Sequence, residues 1–322
     1  MKFKITAFIF SLAFSQNSFA ETEYTEFVGA NGSVNWTTGK ISAIGMGAAP
    51  SNKPPHVIPL LSCRAAIADA QRNLLESVKG VRVEASTVVE KYMLANDTIT
   101  TSVQGVVRGG LIMEKTPYPD STCKVVIEAP LSGTLSTSIY KDLFEQQTQK
   151  SVFYKMLDGL GEQLSWLAPQ KAYAFSEQDL LSKYQALELR VQQLEGQLGK
   201  MPTNANSAVQ YQPTGLVVDV RGSHFRPSLA PKLRTDKGKL LYPTQDDKDT
   251  ILASGRLVSL FTRDLQFAQR HPSIGDRPLV VKANRAGKDK TDVLFNPETS
   301  EKLSRLFANI KGTDLAVIMV LD

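Results

Sequence analysis

The chain has 322 residues, with 37 basic and 32 acidic side chains, three histidines and two cysteines. That length favours two domains over one and leaves each enough chain to bury a core. The small basic excess argues against nucleic acid as a partner, and the scattered histidines supply no metal-ligand spacing.

Lys2 and Lys4 open the chain, an uncharged apolar run follows over 5–14, and Ser18-Phe19-Ala20 places small residues at −3 and −1 of a cleavage site. This is the three-part pattern of a secretory signal peptide, residues 1–20, with cleavage expected after Ala20. The run is about half of the ~20 residues that span a bilayer as a helix. Cleavage removes Lys2 and Lys4 and brings the formal charge from +5 to +3. Residue 21 is Glu rather than Cys, so no lipid on an N-terminal cysteine is expected. No later stretch reaches transmembrane length. The expected location is the bacterial periplasm, with any outer-membrane association made through partners.

Residues 21–175 read as an N-terminal α+β domain with a helical extension. Val34, Trp36, Ile41, Ile44 and Met46 suggest one or two strands among turn residues. Gly45-Met46-Gly47 is read as strand, because no helix follows it to make a phosphate loop. A helix is expected from Ser62 to Lys79, with Ser62 as N-cap and apolar residues at helical spacing from Ile67 to Val78. Strands are expected over 81–90, 99–113 and 123–131. Helix and loop should fill 136–175. Cys63 and Cys123 form an even pair that an oxidising compartment allows to close as a disulfide. Two separate buried thiols are the other reading, since spacing cannot place their Cα atoms.

Leu180, Tyr184, Leu187, Val191, Leu194 and Leu198 recur at alternating steps of four and three, a heptad seam over 176–199. It is expected to join copies of the chain or a partner helix, though fewer than three heptads also suit an amphipathic helix packed on its own domain. Residues 200–213 read as a linker rich in Asn, Ser, Pro and Gln. Residues 214–322 read as a second α+β domain. There, Asn296-Pro297-Glu298 marks a helix start. Leu315 to Leu321 suits a strand covered on both faces. The fold class is therefore α+β.

The alanine-rich helix, Gly80-Val81-Arg82-Val83, the Thr/Val/Gly-rich stretch near Val103 to Gly110 and the Val125–Ile127 strand resemble the twenty-kilodalton outer-membrane lipoprotein family. Flagellar envelope proteins of the FlgP and FlgT kind carry similar domains. The likeness covers roughly residues 30–135, and the missing lipidated cysteine departs from the lipoprotein members. Gly215 to Gly222, Arg226 to Pro231, Pro278 to Ala283 and Thr291-Asp292-Val293 resemble a C-terminal domain of uncharacterised relatives of those proteins, to which no activity is attached.

No catalytic constellation emerges. Ser138-Ile139-Tyr140-Lys141 fits a serine–lysine pattern, but the companion Lys-Thr-Gly strand is missing. Asp246, Asp247 and Asp249 lack the glycine and glutamate of a calcium loop. Lys282, Arg285, Lys288 and Lys290 read as a basic loop. The expectation is a non-enzymatic envelope protein without cofactor or metal, binding other envelope proteins and itself. The resemblance implies a ring or disk around the flagellar motor. A non-flagellar surface-assembly factor and a peptidoglycan- or glycan-binding protein are the alternatives.

Overall fold

The computed structural model describes residues 23–164, 213–309 and 315–322. The signal peptide, the heptad seam from Leu180 to Leu198 and nearly all of the linker lie outside the described residues. Among the described residues, 23–145 and those from 213 onward form one compact unit, and 146–164 belong to a second. The described part of the second unit is the C-terminal stretch of the long helix introduced below.

In the first unit, β1 (Thr25–Val28), β2 (Gly32–Asn35) and β3 (Lys40–Ala48) form an antiparallel meander. Helix α1 (Ile58–Gly80) follows. It starts one turn earlier than Ser62, because Pro59 is tolerated in a first turn whose N–H groups have no helical partner. Ser62 is buried instead of capping. Next come β4 (Arg82–Glu84), β5 (Thr87–Val88), α2 (Val89–Ala95) and α3 (Asp97–Arg108). β6 (Leu111–Pro117) and β7 (Thr122–Pro130) complete a five-stranded sheet of order β1-β2-β3-β7-β6.

The expected strand over 99–113 is therefore largely helix, and the one over 81–90 is split into two short strands and the start of a helix. In 81–90 only short β4 and β5 pair with each other before α2 begins. In 99–113, Ile99, Ser102 and Val103 share a buried face at helical spacing. The Asn96 side chain caps the helix by accepting from the Thr98 N–H at 2.9 Å. Periodicity and capping outweigh the β preference of the threonines and valines.

One face of the sheet packs on α1. Ala66 and Ala70 are fully buried there against glycines of β3. A Cβ on Gly45 would stand 2.2 Å from Ala70 N, and one on Gly47 would stand 2.3 Å from both Ala66 N and Ser62 O. Small residues on both sides let helix and strand backbones approach. Cys63 of α1 and Cys123 of β7 are joined by a disulfide, their Cα atoms 4.9 Å apart. Helix α4 (Thr134–Leu164) follows.

The segment from residue 213 carries a parallel sheet of order β11-β15-β8-β12: β11 (Leu260–Thr262), β15 (Ala316–Val320), β8 (Gly215–Asp219) and β12 (Pro278–Lys282). A second sheet has order β10-β9-β14-β13: β10 (Leu240–Tyr242), β9 (Lys232–Thr235), β14 (Asp292–Phe295) and β13 (Arg285–Ala286). Short helices α5 (Lys248–Ser254) and α6 (Leu265–Arg270) and the longer α7 (Pro297–Asn309) complete the segment. Asn296 Oδ1 accepts from Thr299 N at 2.8 Å, capping α7 where the Asn-Pro-Glu motif places its start. The class is α+β, as the sequence implies.

These two segments pack on each other within one compact unit. The parallel strands alternate their side chains between two faces. Val217, Ile318, Val320 and Leu260 meet Ala268 and Ile274 of their own segment. Leu216, Val218, Val317 and Met319 face the other way, into a core that also holds Trp36, Ile41, Val81 and Tyr140. The ring of Trp36 meets that of Phe261 edge-on at 5.8 Å. Ser228–Ala230 also adds to β4, with Leu229 N donating to Arg82 O at 3.0 Å and Ala230 N to Val83 O at 2.8 Å. A strand run apolar on both faces needs two covers, and residues 23–145 supply the second.

Candidate functional site

Three features stand out: a charged seam, a pocket beside it, and an uncovered sheet face ending in an apolar edge.

The seam is built on Glu26. Its carboxylate accepts from Arg82 Nη1 at 2.9 Å and from Arg82 Nη2, from Trp36 Nε1 at 3.3 Å, and lies 3.5 Å from Arg226 Nη2. Arg82 also donates through Nε to Pro227 O at 3.0 Å, so it ties the two segments. Beside it, Lys232 pairs with Glu84, and Ala85 N donates to Thr291 Oγ1 at 2.7 Å. Burial alone would raise the Glu26 pKa, but the Arg82 pair, Trp36 and Arg226 together hold it below the ordinary 4.5. A depressed carboxylate stabilises the fold above its unfolded-state pKa and stops doing so as pH falls through its folded value. The wild type should therefore lose stability below about pH 4.5, and Glu26→Gln should flatten that acid limb. At pH 7, Glu26→Gln should cost about 2 kcal/mol, the scale of hydrogen bonds to charged groups. Urea unfolding across pH 3–7 checks both.

Beside the seam lies a pocket of about 180 Å³. It is walled by Trp36, Leu131 and Tyr140 from one segment and by Ser228, Arg256 and Phe261 from the other. Tyr140 is buried, and its hydroxyl donates to Leu229 O at 2.9 Å. Burial pushes its ionisation far above the ordinary tyrosine value, partly offset by the nearby Arg256 cation. Ser136 donates to Gly255 O at 2.7 Å. The Ser228 hydroxyl is buried and has no hydrogen-bond partner among the described residues. A buried polar group left so costs about 1–3 kcal/mol.

A wider hollow of about 730 Å³ lies between α3 and the start of α4, lined by Thr101, Ser102 and Ser138. Those hydroxyls donate to helix carbonyls of Asp97, Thr98 and Thr134, which leaves the hollow few free donors. Ser138 also contacts Ser102 Oγ at 2.9 Å, and its pattern partner Lys141 is exposed.

The face of the five-stranded sheet away from α1 exposes Phe27, Ile44, Met46 and Leu111. Cross-strand pairing sets Phe27 against Ser33, Ser33 against Ser42, Ser42 against Glu128, and Glu128 against Leu111. Ile44 similarly sits against Val126, and Met46 against Lys124. At the margin, β6 pairs with β7 and with no other strand among the described residues. Its first three residues, Leu111, Ile112 and Met113, are 67%, 47% and 59% exposed. The register with β7 shifts between Ile112 and Glu114. Glu114 is held below the ordinary carboxylate range by Thr116 and Lys124. An exposed apolar edge is a template for another strand, which proteins usually blunt with lysine or proline. Here Lys115 and Pro117 guard only the far end.

The remaining sequence candidates are dispersed. His56 and His224 are exposed, while His271 Nδ1 accepts from Ser273 N at 3.3 Å and caps a short turn. Asp247 closes a capping box with Thr244. Asp219, at the carboxyl end of β8, holds Arg221 through two 2.8 Å contacts. Lys282, Arg285, Lys288 and Lys290 are exposed. Among the described residues no group of three or more His, Cys, Asp or Glu is placed to hold a metal, and no helix is long and apolar enough to cross a membrane.

The fold and these features define an α+β protein whose most distinctive exposed element is a sheet margin. Residues 215–322 match the family model described as Treponema pallidum Tp0624, second domain, a family of uncharacterised proteins. No curated protein matches the chain. The match begins at Gly215 of β8 and takes in both sheets of the C-terminal segment. Residues 23–145, which cover one face of that segment, lie outside it.

Proposed function

We propose that this is a non-enzymatic structural or assembly protein of the bacterial envelope, which joins other envelope proteins or further copies of itself. The observation that carries this reading is β6: seven residues at a sheet margin, opening with three consecutive exposed apolar side chains. Main-chain pairing along such an edge supplies affinity, and alternating side chains supply selectivity. The open face beside it, with Ile44, Met46 and Leu111 among polar residues, adds contact area. The export pattern of residues 1–20 supports the compartment, and the heptad seam at 180–198 supports self-association.

The specific setting we put first is a ring or disk associated with the flagellar motor. Its support is the likeness of residues 30–135 to the lipoprotein family and the FlgP/FlgT proteins. Deleting the gene and scoring swimming tests it: loss of motility, restored by the wild-type gene, is the expected result. Normal swimming, with flagella of wild-type number, would remove the flagellar setting and leave the assembly role to a non-flagellar machine. A complementing copy carrying Leu111→Lys and Met113→Lys should restore less than a tenth of the motile fraction. Its folding should change little, because exposed substitutions usually alter stability by within about 0.5 kcal/mol.

A further inference from the structure

We infer that the end of residues 23–145 where helix α1 starts beside the β6–β7 hairpin is a docking surface for an anionic phospholipid membrane, separate from assembly through the β6 edge.

Three exposed segments meet at this end. β3 stops at Ala48, opposite Thr122 of β7, and Ala49 N donates to Ser121 O at 3.0 Å. The loop over 49–57 then leads into α1, which the Cys63–Cys123 bridge pins to the start of β7. The hairpin between β6 and β7 turns at Tyr118-Pro119-Asp120-Ser121, with Tyr118 N donating to Thr122 O at 2.8 Å. Leu60 and Leu61, in the first turn of α1, are 70% and 37% exposed, and Tyr118 is 40% exposed. Pro55, Pro59 and Pro119 beside them are exposed as well. Large apolar side chains gathered on one exposed surface mark an interaction site.

Charge selects the partner. From Gly45 to Ala68 the chain holds Lys53 and Arg64 and no Asp or Glu. Both cations are exposed, and neither makes an ion pair with a described residue. The hairpin tip adds one acid, Asp120, whose carboxylate accepts from the Thr122 N–H at 3.1 Å and from the Thr122 hydroxyl. Helix α1 starts with no side-chain cap and no acid in its first turn, which leaves the positive end of its dipole unopposed. Exposed leucines, a tyrosine and free cations on one surface match a bilayer interface with anionic headgroups. The leucines enter the acyl boundary, the tyrosine ring sits at headgroup level, and the cations meet the phosphates. A bilayer accepts all three without a matching groove.

The test is co-sedimentation of the purified chain, starting at Glu21, with mixed phosphatidylethanolamine–phosphatidylglycerol vesicles and with vesicles of phosphatidylcholine alone. Saturable binding to the mixed vesicles, weakened by high salt and slight on phosphatidylcholine, is the expected result. Leu60→Gln with Leu61→Gln should weaken it by about tenfold or more, the scale of one leucine's burial. Glutamine keeps the helix propensity of leucine, so the melting temperature should hold. Lys53→Gln with Arg64→Gln should also weaken binding by about tenfold or more, at roughly fivefold per cation near a charged surface. Leu111→Gln with Met113→Gln, at the β6 margin, should bind vesicles as the wild type does, so membrane binding and assembly are read apart. The inference is overturned by no binding to the mixed vesicles, by equal binding to phosphatidylcholine, or by full affinity in either the leucine or the cation variant. It is also overturned by a loss in the β6 variant that matches the leucine variant's. A crosslinker at position 61 that captures one protein while vesicles are ignored would give the surface to a protein partner and overturn it too.

Discussion

Replacing Cys63 and Cys123 by serine is expected to destabilise the compact unit by about 4 kcal/mol, the chain-entropy value for closing a loop of roughly 60 residues. The bridge links positions 60 residues apart in sequence. It joins the first turns of α1 to β7, and the segment it closes contains α2, α3 and β6. Both cysteines are buried, so the bridge is shielded from solvent reductants. For a unit of this size the loss corresponds to a fall in melting temperature on the order of 10 °C. Calorimetry of wild type and the double serine variant measures it directly. Equal melting temperatures, with the wild-type bridge verified by mass, would contradict the prediction. Because β6 lies inside the closed loop, the variant should also hold its sheet margin less firmly, visible as faster amide exchange over 111–117.

The second large effect is expected at Gly45. A methyl group there would meet Ala70 N at 2.2 Å and Ala66 O at 2.4 Å, both backbone atoms that cannot swing aside. The helix and the strand must separate, and every contact of that face loosens with them. Overpacking usually costs 1–3 kcal/mol, and a double clash with backbone places Gly45→Ala at about 3 kcal/mol or more. Gly105→Ala is the matched control of opposite sign. Gly105 lies inside α3 and a Cβ there meets nothing within 4 Å. That variant should gain about 0.5–1 kcal/mol by removing glycine's backbone freedom from the unfolded chain. Urea unfolding of both variants checks magnitude and sign; a tolerated Gly45→Ala would mean that α1 does not pack on β3 at backbone distance.

These two sites also show which parts of the structure a sequence reader can find. Local rules succeed where one element carries its own signal. The cap and proline at Asn296-Pro297 place the start of α7, and the unbroken apolar run from Leu315 to Leu321 marks β15 as an interior strand. Around 97–108, β-branched residues speak for a strand while their spacing and the Asn96 cap speak for a helix, and the spacing wins. Gly45 and Gly47 read as turn or strand glycines, because the alanines that require them lie about 20 residues on, across a turn. The even cysteine pair is visible, but the 4.9 Å approach of its Cα atoms depends on α1 lying across β7.

Long-range packing is where the sequence is silent. The polar linker at 200–213 suggests a boundary, yet Arg82 reaches Pro227 O and Trp36 reaches Phe261. Nothing local in a strand such as Leu216–Val218 says that the cover for one face comes from a segment more than 70 residues earlier. The seam pocket follows from that junction, so neither Ser228 nor Arg256 could be singled out from composition or spacing. The β6 edge is half legible: three consecutive apolar residues are plain in the sequence, but their exposure depends on β6 being the last strand in the sheet.

The most direct measurement of the assembly role places a photo-crosslinking residue at position 111 of the exported protein in living cells, with position 237 as a remote exposed control. The expected result is a discrete adduct at 111, either a dimer of the chain or a conjugate with one envelope protein, that is absent at 237 and lost when Met113→Lys is added. A folded, exported protein that yields no adduct at 111 beyond that at 237 would contradict it.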